Sequence, residues 1–210
     1  LEMVSHVDHP LNERGYNQAL DLQRAIRAAQ LETREPHSNS PPEAAALRTL
    51  LSAKVVWASP LTRALQTALV AMQPLLGADD GGGVPLELKP NAREKKNMGG
   101  RDTIGLVVGD ECGARARKLL GDLAPRSNAS AADDATTSVA YDAIDIFHSE
   151  VEQTWWNTST ESKREVQARI REMLYQIEHC PHDTIVLVGH SHFFRAMFAR
   201  FLHPDVERRS

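Results

Sequence analysis

The stretch KVVWASPLTR, residues 54–63, is a short β-prone run that passes directly into a Ser-Pro helix start. A second stretch, TIVLVGHSHF at residues 184–193, shares this design, with polar side chains following an apolar run. A continuous apolar run is typical of a strand buried on both faces of a parallel sheet. Polar groups after such strands lie at the carboxyl edge of the sheet, where open α/β proteins bind ligands. The two stretches therefore predict parallel strands that end at a binding site.

Segments with apolar residues at helical spacing lie before and after these strands in the sequence. Asn12 is a suitable N-cap for the first predicted helix, and TSTE at 158–161 resembles a capping box for a later one. A third, shorter strand is predicted at 86–88. The predicted helices span residues 13–31, 60–74, 111–120, 161–179 and 192–202. This alternation predicts a parallel sheet with helices on both faces, within one domain over residues 1–210.

Composition limits the partners of the chain. The net charge is −4, so no global basic field favours nucleic acid. No apolar run approaches the roughly 20 residues that span a bilayer. The two cysteines, Cys112 and Cys180, form no disulfide framework, which favours a reducing, cytoplasmic setting. Residues 121–138 are small and polar and predict a flexible insertion. These observations leave the oligomeric state open.

Two side chains in the strand-to-helix segments have chemistry suited to an anion. Arg63 falls in the first turn of its helix, where free backbone N–H groups and the helix dipole add positive potential. Its planar fork can bond two phosphoryl oxygens, although position alone favours an ordinary solvated helix residue. His190 directly follows a buried strand, where it is either functional or a satisfied core histidine.

Four segments, taken in order, resemble one family. Residues 58–68 (ASPLTRALQTA) and 8–19 (DHPLNERGYNQA) are similar to two motifs of the histidine phosphatase superfamily, the phosphoglycerate-mutase-like enzymes. Residues 186–191 (VLVGHS) are similar to its late strand, which ends in Ser-His or Gly-His. Residues 93–94, ahead of two glycines at 99–100, occupy the place of its acidic proton donor. Residues 110–150 match least.

The resemblance implies a three-layer α/β/α fold with a mostly parallel sheet, and phosphoryl transfer through a phosphohistidine. It implies that Arg63, His190 and Ser191 bind the phosphoryl group, that His190 is also a catalytic residue, and that Glu94 is the general acid. Lys95 and Lys96 leave open that Glu94 is an ordinary surface residue. The expected partner is a small phosphorylated substrate, with no cofactor and no metal.

The sequence departs from the family at one decisive motif. Its nucleophile lies in an Arg-His-Gly motif, and no Arg-His-Gly occurs in these 210 residues. In the family the motif ends the first strand and precedes the segment that here begins at Asp8. We therefore expect the first central strand, which the resemblance puts beside the strand leading to His190, to be missing. We also expect a chain that is catalytically incomplete as written and is the remainder of a longer protein.

Other functions remain open at this point. A phosphatase is favoured over a mutase because residues 110–150 look like a poor lid, and an inactive phosphate-binding or scaffolding member also fits. Ser191 as an α/β-hydrolase nucleophile is disfavoured, because Phe193 replaces the final Gly of that elbow. A zinc site at HCPH, 179–182, has one Cys and no second ligand pair. Trp155 and Trp156 are expected in the core. Three arginines are expected on a solvated helix face: Arg164, Arg169 and Arg171.

Overall fold

The computed structural model describes residues 7–32, 42–77, 83–96, 101–123 and 141–201. Seven α-helices lie within these ranges: α1 (Glu13–Glu32), α2 (Pro42–Leu51), α3 (Thr62–Ala71), α4 (Gln73–Leu76), α5 (Glu111–Gly121), α6 (Lys163–Glu178) and α7 (Ser191–Phe201). The four strands are β1 (Val55–Ala58), β2 (Leu86–Leu88), β3 (Ile146–Phe147) and β4 (Ile185–Val188). Most of the predicted insertion at 121–138 lies outside the described residues.

The strands form one parallel sheet in the order β3-β2-β1-β4. β1 pairs with β4 from Val55–Ile185 to Ala58–Val188, so the two strands end side by side. β1 is buried along its whole length, whereas all four residues of β4 are only half-buried. The prediction that the run at 184–189 is buried on both faces is therefore wrong for the described residues, where β4 is the outer strand. The resemblance puts the missing central strand beside this same β4.

Alternate residues of β1 face two separate apolar clusters. Val56 and Ala58 pack in a cluster formed with α1, α3 and α5. Val55 and Trp57 pack in a second cluster with α6 and α7. This alternation is the two-residue period of a strand covered on both faces. The sheet lies between two helical layers, and the predicted three-layer α/β/α class is confirmed.

Several predicted boundaries move by a few residues. The helix expected over 60–74 is divided at Met72 into α3 and α4, and α3 begins at Thr62. Ser59 therefore does not cap it. The capping box belongs to Ser162 and Glu165, where each side chain bonds the other residue's backbone N–H. The prediction of a box ending at Glu161 is wrong, because the Glu161 carboxylate is buried in other contacts.

A buried ion network joins α6 to the segment that follows β2. Arg169 makes two bonds to Glu161, Nε–Oε1 at 3.1 Å and Nη2–Oε2 at 3.0 Å, and Arg93 donates to Glu161 Oε1 at 2.8 Å. Arg169 Nη1 also donates to the carbonyls of Asn91 and Arg93, both at 2.8 Å. Arg169 is 6% exposed, so its predicted place on a solvated face is wrong. The network fixes the backbone on either side of residue 94.

The tryptophan pair closes the core beside α5, as expected. Trp155 is 8% exposed and donates from Nε1 to the carbonyl of Val107 at 3.1 Å. The rings of Trp155 and Trp156 meet edge to face, with centroids 5.2 Å apart. Gly105 lies against both rings, and a Cβ there would come within 2.5 Å of each. Both indoles therefore depend on a glycine at this position.

Gly105→Ala is expected to lower the free energy of unfolding by about 1–3 kcal/mol, since the added methyl overpacks a site closed by two rigid rings. Urea or thermal unfolding measures the change. Gly121→Ala is the matched control, because nothing lies within 4 Å of its Cβ position in α5. That control should be neutral or stabilising by up to about 1 kcal/mol. Equal stability of wild type and Gly105→Ala would contradict the packing described.

Glu161→Gln should cost about 3–5 kcal/mol of unfolding free energy at neutral pH, because it leaves the buried Arg169 and the half-buried Arg93 without their carboxylate. Burial raises the pKa of Glu161, but Arg169 and the hydrogen bonds outweigh burial, so the net pKa lies below its ordinary value. A carboxylate with a lowered pKa stabilises the fold above its unfolded pKa of about 4.3. That contribution is lost as the pH falls through the folded value.

The difference in unfolding free energy between wild type and Glu161→Gln should therefore be constant from pH 7 to about pH 5 and shrink under more acidic conditions. Denaturant unfolding at a series of pH values gives this difference directly. Glu172→Gln, on an exposed position of α6, is the control and should change stability little at any pH. A difference that grows on acidification would show that Glu161 does not carry the charge in this network.

Candidate active site

The ends of β1 and β4 bring Ser59 and His190 together. Ser59 N donates to the carbonyl of Val188 at 2.9 Å, which extends the strand pairing by one residue. The Ser59 hydroxyl lies 2.9 Å from His190 Nε2, although 131 positions separate the two residues in the chain. Ser59 is fully buried and His190 is 7% exposed. The polar groups after these two strands therefore share one edge of the sheet, as their positions predict.

Burial and charge keep the His190 ring neutral. Burial, together with the positive charges of Arg63 and Arg169, lowers the pKa of His190 to about 3. A neutral imidazole has one N–H and one lone pair, so at neutral pH His190 acts as a hydrogen-bonding group. Arg63 is consequently the candidate residue at this edge that contributes a permanent positive charge.

Arg63 extends from the first turn of α3 toward residue 102. Its Nη1 donates to the Asp102 carbonyl at 2.8 Å, and Nη2 lies 3.8 Å from the Asp102 carboxylate. The Arg63 side chain is 23% exposed, so part of the guanidinium is open to solvent. Its charge also reaches His190, as the lowered pKa shows. The structure thus puts Arg63 and His190 within electrostatic range of each other.

Glu94 lies at the N-terminus of α7. Its Oε2 accepts from the backbone N–H of His192 at 3.4 Å, and its Oε1 accepts from that of Lys95 at 2.8 Å. Glu94 is 8% exposed, which argues against an ordinary surface residue. Ser191 is the exposed first residue of α7 and precedes His192 in the chain. A carboxylate at a helix N-terminus is also a stabilising cap, so these contacts alone leave a structural function open.

Asp8 holds the start of α3, a function that its sequence position does not reveal. Its carboxylate accepts from Thr62 N at 2.8 Å and from Thr62 Oγ1 at 2.5 Å, and Arg115 Nε lies 3.7 Å away. Burial raises the pKa of Asp8, and the bonds to Thr62 and the charge of Arg115 offset only part of that rise. The backbone of Asp8 has φ of 48°. Asp8 therefore orients the helix turn that presents Arg63.

Gln66 adds a second tie between the same elements. Its Oε1 accepts from Leu11 N at 2.7 Å, and its Nε2 donates to the carbonyl of Ala116 at 3.1 Å. The side chain is fully buried, so both bonds form without competing water. The glutamine of the motif at 58–68 thus fastens α3 to the chain before α1 and to α5.

The contacts at this edge give no support to the rival sites. Among the described residues, no three His, Cys, Asp or Glu side chains are grouped so as to hold a metal ion. Ser191 makes no hydrogen bond to His190 in the described part of the chain, which leaves it without an activating base. His203 and Asp205, the partners that a hydrolase would need, lie outside the described residues.

Comparison with known proteins agrees with the fold. A sequence model of the histidine phosphatase superfamily (branch 1) matches residues 133–210, which include β4, His190 and α7. Arg63 and Glu94 lie outside this match. No curated protein matches the chain. No described helix has the length and apolar character needed to cross a membrane. The resemblance predicted from the sequence is confirmed over residues 133–210, which are similar to the histidine phosphatase superfamily, a family of phosphoryl-transfer enzymes.

Proposed function

We propose that this protein is a phosphatase that acts on a small phosphomonoester through a phosphohistidine. Arg63 and His190 hold the phosphoryl oxygens, Ser191 adjoins them, and Glu94 protonates the leaving oxygen. The attacking histidine belongs to an Arg-His-Gly motif that the 210 residues do not contain. The observation that supports the proposal is the buried His190 at the paired ends of β1 and β4, where the charge of Arg63 helps to lower its pKa and Glu94 accepts from the nearby His192 N–H.

The electrostatics of this edge suit a transferring phosphoryl group. The Arg63 fork offers two parallel N–H donors, and the first turn of α3 adds the positive end of a helix dipole. A neutral His190 adds one directional hydrogen bond without a second charge. Donors that converge where negative charge is spread stabilise the transition state more than the ground state. These features supply the binding half of the reaction.

A second candidate function is phosphate binding without turnover. The absence of Arg-His-Gly from the printed sequence favours it, because Arg63 and His190 can hold an anion without a nucleophile. A mutase would use the same side chains, and no contact in the described residues favours it over a phosphatase. Binding and turnover are therefore separate tests.

Inorganic phosphate is expected to bind the protein, and Arg63→Ala or His190→Ala should weaken binding about tenfold to a hundredfold. Hydrogen bonds to a charged group are worth about 1.5–3 kcal/mol, which corresponds to that range. Isothermal titration calorimetry measures the dissociation constants. Arg171→Ala, on an exposed position of α6, is the control and should bind like wild type. Wild-type protein that takes up no phosphate would remove both candidate functions.

The assignment of Glu94 can be tested by varying the leaving group. A nitrophenolate leaves without a proton, whereas an alkoxide needs one, so Glu94→Gln should slow an alkyl phosphomonoester about 100-fold or more. The same variant should slow p-nitrophenyl phosphate far less. Because the 210 residues contain no Arg-His-Gly motif, steady-state phosphate release is measured on a chain extended to carry that motif, with Glu172→Gln as the control.

Equal losses on the two substrates would instead make Glu94 only the cap of α7. Phosphate binding in the wild type with no release from either ester would support the non-catalytic alternative.

A further inference from the structure

We propose that Ser59 is a positioning residue that fixes His190 as the tautomer with its proton on Nδ1. The buried hydroxyl donates its hydrogen bond to Nε2. The Nδ1–H group is then the donor that remains for a bound anion. The tautomer follows from contacts of Ser59 and His190 alone. Its use toward a phosphoryl oxygen rests on the proposed function.

The argument begins with the hydrogen-bonding capacity of one hydroxyl. A serine Oγ has a single proton to donate and lone pairs that accept. Ser59 Oγ accepts from the backbone N–H of Leu61 at 3.3 Å and lies 2.9 Å from His190 Nε2. In the described part of the chain it makes no other side-chain hydrogen bond. Its proton therefore has one available acceptor, the lone pair of Nε2.

The opposite arrangement leaves a buried donor without a partner. If Nε2 carried the proton and donated to Ser59, the hydroxyl would accept twice and its own proton would have no acceptor. Ser59 is 0% exposed, so bulk water does not provide one. An unsatisfied buried donor costs about 1–3 kcal/mol, which would disfavour this tautomer by roughly fivefold to a hundredfold or more. The geometry thus selects Nδ1–H.

The remaining nitrogen is the one that can serve a ligand. Within the described residues Nδ1 has no hydrogen-bond partner, whereas Nε2 is occupied by Ser59. The low pKa of His190 keeps the ring neutral, so one N–H is all that it can offer. Ser59 thereby makes His190 a fixed donor, and it prevents Nε2 from acting as a base. The sequence motif at 58–68 carries this serine four positions before Arg63.

The test is NMR spectroscopy of the full chain labelled with ¹⁵N in its histidine rings. Chemical shifts and long-range ¹H–¹⁵N correlations report which nitrogen is protonated, and His190→Gln assigns the His190 signals. At neutral pH we expect a protonated Nδ1 and an unprotonated Nε2 in the wild type. A protonated Nε2 would overturn the proposal, and this readout needs neither substrate nor a Ser59 variant.

Ser59→Ala then tests the residue itself. Its His190 signals should shift toward a mixture of tautomers, while Ser159→Ala, at an exposed position, should leave them unchanged. The dissociation constant for inorganic phosphate should rise about threefold to tenfold in Ser59→Ala, as expected for one weakened hydrogen bond. An unchanged tautomer in folded Ser59→Ala would show that the hydroxyl is not the cause. The predicted tautomer without phosphate binding would refute the proposed function and leave the action of Ser59 intact.

Discussion

The pairing of β1 with β4 is the constraint on which the rest of the site depends. The register from Val55–Ile185 to Ala58–Val188 makes the two strands end flush, and only then can Ser59 reach His190. A slip of one residue would turn every side chain of one strand to the opposite face. Val56 would then leave its cluster with α1, α3 and α5. Trp57 would leave its cluster with α6 and α7. Because both faces are packed, the core that fixes the register also fixes the site.

Two buried carboxylates, Glu161 and Asp8, connect the helices to this sheet edge. Their environments shift the two pKa values in opposite directions. Glu161 faces two guanidinium groups at 3.1 Å or less, and their attraction lowers its pKa despite burial. Asp8 has a single arginine at 3.7 Å, and burial prevails, which raises its pKa. Glu161 therefore keeps its charge most firmly, while Asp8 depends on neutral donors from Thr62. The former anchors the segment of Glu94, and the latter anchors the turn of Arg63.

Much of this fold could be predicted from apolar period and turn chemistry, because both are local. The Asn12 cap is seen as an Oδ1 contact to Gly15 N at 2.9 Å, and the three predicted strands agree within a residue or two, whereas β3 was not predicted. The half-buried state of β4 could not be predicted, since an apolar run does not show how many strands flank it. Arg169 did leave a signal: it lies three residues after Val166 and four before Met173, on their apolar face. Its partner carboxylate, Glu161, lies outside α6, so the helical period of α6 could not predict this ion pair.

The geometry of the candidate site could be predicted only in part, for the same reason. Arg63, Glu94 and His190 each occupy a motif position, yet their partners lie far away in the chain. Arg63 is now engaged by Asp102 through one short carbonyl bond and a longer ion contact at 3.8 Å. An ion pair that is partly open to solvent contributes little, typically 0 to about 1 kcal/mol. A dianionic phosphoryl group that forms two parallel hydrogen bonds to the guanidinium group binds Arg63 more strongly than this contact with Asp102 does. Under the proposed function, Asp102 therefore holds Arg63 in place before an anion arrives without competing strongly once the anion is bound.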